Sequence, residues 1–196
     1  MSQAQRFHSF LKDNGHLISK LIVNQIGMTV FGWVLAMACV SNNALLMGVS
    51  VFSVLFYMYL LYSACWEIGA KDQVKVAAGR MKRQPFKAFF CSLLANIPNA
   101  VFAILAIIGY YSIVNMATGD PLWATNLYGV CNAIARAIQG MYIGIIALLN
   151  PSNNPLALLV IILPSIFFSS LGYLMGLNGR SVSALFGIDP YRQSKR

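Results

Sequence analysis

Charge is what this chain has least of. Only 10% of its 196 residues are Asp, Glu, Lys or Arg, against 58% hydrophobic ones. Ordinary soluble domains carry about 25% charged residues, and a soluble fold of this length has too little interior to hide so much apolar surface. A bilayer accepts it, because hydrocarbon is then the solvent. Acids are scarcest of all: there are five, Asp13, Glu67, Asp72, Asp120 and Asp189. None falls in the middle of an apolar run, so a paired intramembrane carboxylate site is excluded. Histidine is limited to His8 and His16, far in sequence from Cys39, Cys65, Cys91 and Cys131. With no CxxC pair, neither zinc nor an iron–sulfur cluster is expected, and the cysteines read as small buried hydrophobes. The patterns GxSxG, HExxH and GxxxxGK[ST] are missing as well. The expectation is a non-enzymatic protein that needs no cofactor.

Alternation with period two is also absent. Five long apolar runs stand in its place, at about 18–40, 45–66, 88–111, 126–149 and 156–176. Each approaches the ~20 residues that cross roughly 30 Å of hydrocarbon as a helix. The predicted fold is all-α: a polytopic membrane helix bundle of five hydrophobic helices, forming one integral membrane domain over 1–196. Ser41-Asn42-Asn43 makes the first two runs a hairpin. Thr118-Gly119-Asp120-Pro121 and the Asn150–Pro155 stretch interrupt the chain before the fourth and fifth, since proline opposes helix continuation. Ala36-Met37-Ala38 resembles a cleavage signal. The polar region before the first run is long, however, and the run is long enough to span, so an uncleaved first span is expected.

Basic residues are unevenly placed. Arg6, Lys12 and Lys20 lie at the N-terminal end; Lys71, Lys75, Arg80, Lys82, Arg83 and Lys87 lie between runs two and three. The connections 41–43 and 112–125 hold none. By the positive-inside rule the tail 1–17 and the basic loop 67–87 are cytoplasmic, in a multi-span cell-membrane protein of bacterial type. The C-terminal tail 177–196 is basic too, through Arg180, Arg192, Lys195 and Arg196, yet five crossings would put it outside. Run four is the weakest span, since an arginine at a helix centre costs about 2.5–3.5 kcal/mol on insertion scales. It either crosses with Arg136 turned inward, or lies re-entrant or interfacial.

Thr125, Asn132, Arg136 and Gln139 recur at helical spacing and share a face. Asn96 and Asn99 flank Pro98 in run three, and serines follow Pro164 in run five. One reading gathers Arg136, Asn132, Gln139, Asn96 and Asn99 into an anion-attracting polar interior, with Glu67 the nearest candidate ion-pair partner. The plainer reading satisfies Arg136 with carbonyls or lets it snorkel to lipid phosphate. Gly140-xxx-Gly144 and Gly172-xxx-Gly176 are small-xxx-small pairs. They point to runs four and five packing closely, on each other or across a homodimer.

The basic loop offers Lys71, Lys75, Arg80, Lys82 and Arg83 to anionic lipid headgroups or to a soluble partner such as an ATPase subunit, for which Lys71-Asp72 and Gly79-Arg80 are the residues to probe. It is too short and too poor in aromatics for nucleic acid. Two functions are therefore expected candidates. One is a transport-related solute-binding or channel subunit. The other is a non-transporting scaffold or assembly factor that acts on other membrane subunits, or on itself, through the loop and the glycine faces.

Overall fold

The computed structural model describes residues 3–115, 121–149 and 154–180. Among them every regular element is helical. Helix α1 (Gln3–Cys39) is 37 residues long, about 55 Å at 1.5 Å per residue. The expected N-terminal tail is thus helical from Gln3 onward and continuous with the first span. Its end is sharp. The Asn42 side chain accepts from the N–H groups of Ala44 at 3.0 Å and Leu45 at 3.2 Å. This N-cap starts α2 (Asn43–Ala77).

Helix α2 corrects the expected loop at 67–87, because residues 67–77 continue the helix. Nothing there breaks it, and the pairs Glu67–Lys71 and Asp72–Lys75 sit at i,i+4 and i,i+3. It ends at Gly79, whose φ of 70° admits the left-handed turn. Arg80 N–H then bonds the Lys75 carbonyl and Gly79 N–H that of Val76, a Schellman closure.

The third expected span is two helices, α3 (Lys87–Ala95) and α4 (Ile97–Asn115). Pro98 lacks the N–H that would bond the Leu94 carbonyl, and Asn96 closes α3 by donating its N–H to Ser92 at 3.0 Å. The fourth run is α5 (Leu122–Ile138), a 3-10 turn Gly140–Tyr142 and α6 (Ile143–Leu149). The axes before and after Gln139 meet at 89°. The fifth is α7 (Leu156–Val160) and α8 (Ile162–Leu177), joined at Ile161; Pro164 cannot donate to the Val160 carbonyl.

Four helical stretches are long and apolar enough to cross a membrane: 8–39, α2, α4 and 156–177. The bent pair makes a fifth if it forms one span. The polarity of the bundle suits such a solvent. Val23, Val34, Leu55, Leu122 and Phe167 are exposed, while Asn96, Asn99, Gln139, Ser165 and Ser169 are buried. Helix α8 lies along α2, where Gly172 faces the Tyr62 carbonyl and Gly176 that of Trp66. A Cβ at either glycine would overlap the α2 backbone. These two glycines therefore serve α2–α8 contact, not contact between the fourth and fifth runs.

Candidate functional site

The bend in the fourth run is held from outside its own sequence. A break inside hydrocarbon leaves backbone groups that must find partners. Thr29 Oγ1 donates to the Ile138 carbonyl at 2.6 Å, and Trp33 Nε1 to that of Ala137 at 3.1 Å. On the far side of the bend, Gly144 N–H donates to Ser50 Oγ at 2.9 Å. So α1 completes the end of α5, and α2 completes the start of α6. Close approach makes this fit. A Cβ at Gly140 would overlap the Trp33 ring, one at Gly144 the Leu46 carbonyl, and one at Gly32 the Met141 backbone.

Three helix interruptions meet at one cavity. Its lining comes from the α3–α4 break (Asn96, Asn99), the α5–α6 bend (Gln139, Met141, Tyr142) and the α7–α8 joint (Ile161, Ile162, Ser165). Gln25 of α1 and Tyr57 of α2 complete it. Tyr57 lies about 18 Å along α2 from Leu45, near the middle of that helix's apolar stretch. The volume is about 10 Å³, the space of roughly one water molecule.

The lining is hydrogen-bonded in one sense. Gln139 Nε2 donates to the Leu158 carbonyl at 3.2 Å. Asn96 Nδ2 donates to the Ser92 carbonyl at 2.9 Å and to Ser165 Oγ at 3.1 Å. Asn99 Nδ2 donates to Asn96 Oδ1 at 3.0 Å, and Ser165 Oγ donates to the Ile162 carbonyl at 2.8 Å. Each of the three amide nitrogens is thus tied to the surrounding scaffold by at least one hydrogen bond. Left over are Asn99 Oδ1, Gln139 Oε1 and the Tyr142 hydroxyl, all buried and bonded by no protein group among the described residues. Buried polar atoms normally have partners, and these three stand without a protein partner among residues of one cavity.

The five residues expected in one polar interior separate into two places. Asn96, Asn99 and Gln139 line the cavity. Arg136 lies in a different groove of about 360 Å³, with Trp33, Ala133, Ala137, Ile143, Ile146 and Ala147. Its Nε donates to Asn132 Oδ1 at 3.2 Å. Gln139 closes α5 and is drawn to the Leu158 carbonyl of α7, while Arg136 turns back to Asn132 on its own helix. Glu67 does not serve Arg136. It is held by Lys20 at 2.8 Å and Lys71 at 2.6 Å.

At the basic end the structure adds a cluster that the sequence did not signal. Asp72 is buried, with Oδ2 2.8 Å from Lys87 Nζ and 3.1 Å from the Tyr173 hydroxyl. Lys75 stands 3.4 Å from Oδ1. Arg83 bonds the Asn178 side chain, and Trp66 Nε1 donates to the Arg180 carbonyl at 2.7 Å. All five basic residues expected to face lipid or a partner are exposed; Lys71, Lys75 and Arg83 also make contacts within the protein. Of the basic C-terminal tail, residues 181–196 lie outside the described residues, as do Asp120 and 150–153.

The described residues hold no group of three or more His, Cys, Asp or Glu side chains placed to bind a metal. No family model, no curated protein and no solved structure matches this chain.

Proposed function

We propose that this membrane protein binds a small polar solute inside the bundle and serves a transport-related role, as a solute-binding or channel subunit. One observation carries the reading: three interrupted helices converge on a cavity where three buried oxygens have no protein partner. Interrupted helices supply the polar groups of many membrane transport sites, because only there does irregular backbone face a cavity instead of lipid. In this reading the N-terminus and the basic connection are cytoplasmic, from the charge asymmetry. Arg136, in its separate groove, contacts a lipid headgroup. The same reading takes the fourth run as re-entrant at the Gln139 bend, so that the basic C-terminal tail returns to the side of the N-terminus; the 89° angle between its two parts supports it.

The test is thermal unfolding of the purified full chain in detergent, against a panel of small ions and neutral polar solutes. At least one should stabilise the wild type saturably and stabilise Gln139→Leu at least tenfold more weakly. If no compound does so, the solute-binding reading fails.

The exposure of Arg80 and Lys82 favours a second reading, a scaffold or assembly factor that docks anionic lipid or a protein through the basic end. It requires that charge reversal at these two positions disrupt the protein's associations while leaving its fold intact.

A further inference from the structure

Resting on that solute-binding reading, we infer that the cavity takes a dehydrated monovalent cation, not the anion that Arg136 would suggest. The hydrogen-bond directions decide this. Gln139 and Asn96 each turn their nitrogen toward a backbone carbonyl, at Leu158 and Ser92. An amide oxygen in either place would meet another oxygen, so the orientation of both amides is determined. Asn96 Oδ1 then accepts from Asn99 Nδ2, which orients Asn99 in turn. The chain of bonds leaves Asn99 Oδ1 and Gln139 Oε1 as unused acceptors, joined by the Tyr142 hydroxyl oxygen.

Each amide nitrogen of Asn96, Asn99 and Gln139 already makes at least one hydrogen bond, whereas Asn99 Oδ1 and Gln139 Oε1, which can only accept, make none and would repel an anion placed beside them. A hard cation needs oxygens, and neutral oxygens are what remain. No carboxylate lines the cavity among the described residues. A neutral oxygen set leaves the second charge of Ca²⁺ or Mg²⁺ unbalanced in a low-dielectric interior, whereas the single charge of Na⁺, K⁺ or NH₄⁺ is the smaller demand. Size points the same way. A cavity of about 10 Å³ admits one water-sized particle and excludes choline or a hydrated ion.

The experiment uses the full chain in detergent with choline chloride replaced by NaCl, KCl or NH₄Cl at constant ionic strength, and by CaCl₂ in a parallel arm. Melting temperature and binding of radioactive sodium or rubidium are both recorded. At least one monovalent cation should raise the melting temperature saturably over choline, with one ion bound per chain. Tyr142→Phe, which keeps the ring and removes one oxygen, should weaken apparent affinity at least threefold. Gln139→Leu, which removes one of the three oxygens, should weaken it at least tenfold. Arg136→Gln, outside the cavity, should leave it unchanged. The cation assignment is overturned if choline stabilises as well as the small cations, or if the shift is the same in Tyr142→Phe and Gln139→Leu as in wild type. A Gln139-dependent shift from an anion or neutral solute alone would overturn the cation and keep solute binding. The absence of any Gln139-dependent shift across the whole panel would remove both.

Discussion

Lys87 Nζ lies 2.8 Å from Asp72 Oδ2, with the two side chains only 12% and 2% exposed. This contact joins the first residue of α3 to the last turns of α2, and the Tyr173 hydroxyl ties α8 to the same carboxylate. A buried charge left without its partner is far more costly than a buried pair removed together. Lys87→Met should therefore destabilise the protein by about 3 kcal/mol or more. Asp72→Asn combined with Lys87→Met should recover much of that loss. Chemical or thermal unfolding of the two single variants and the double variant would check it; additive losses would show that the pair does not act as a unit.

Close backbone approach between α2 and α8 should make Gly172 intolerant of size. Gly172→Leu forces its side chain into the Tyr62 carbonyl, and overpacking of this kind costs typically about 1–3 kcal/mol or more. Gly48, also helical, has nothing within 4 Å of the point where a Cβ would sit. Gly48→Ala should be neutral or stabilising by up to about 1 kcal/mol, from helix propensity alone. Melting temperatures of the two variants should move in opposite directions or differ by several degrees.

The bend in the fourth run depends on α1. Thr29→Val and Trp33→Phe each remove one hydrogen bond to the end of α5, with an expected loss of about 1–2 kcal/mol apiece. The neighbouring carbonyls Ala137 and Ile138 can share whichever donor remains, so the double variant should lose more than the sum of the singles. Faster proteolysis or hydrogen exchange confined to residues near 136–144 would accompany it. Loss spread evenly over the bundle would contradict a local role.

Topology divides the readings of the fourth run. Single cysteines replacing Asn42 and Lys82, in a background lacking the four native cysteines, should be labelled from opposite faces of the membrane, with Lys82→Cys reached from the cytoplasm. A cysteine at Arg180, just after α8, should be labelled with Lys82→Cys if the bend is re-entrant. Labelling together with Asn42→Cys would mean that the bent pair crosses fully.

How legible was all this in the residues alone? The spans were, because apolar content over about 20 residues is a local property and needs no partner to be read. Asn96, Asn99 and Gln139 were visible as amides in apolar runs, and all three do line one cavity. The grouping with Arg136 was wrong for a nameable reason. Helical spacing relates positions within one helix, but Gln139 is bonded to α7 while Arg136 is bonded to Asn132, and the spacing alone does not reveal which neighbouring helix meets each side chain. The extension of α2 through 67–77 was hidden because its charged composition resembles a loop, although no residue there terminates a helix. Asp72 was expected with Lys71 as a loop residue that meets a partner, and it is instead buried within the protein. One acid among many lysines reads as solvated until α3 and α8 are folded over it.

The sequence by itself determined that the chain holds runs long and apolar enough to cross a membrane, how many there are, and which end of the bundle carries the basic residues, since each follows from composition along the chain. Only the tertiary structure decided which interruptions face one another, which of the glycines touch which helix, and which amide atoms remain unbonded in the interior. Those outcomes depend on partners remote in sequence: the acceptor that occupies Gln139 Nε2 is a carbonyl in α7, and the donors that hold the bend lie in α1. A hydrogen bond across such distances is set by how whole helices pack, and no local pattern of residues encodes it.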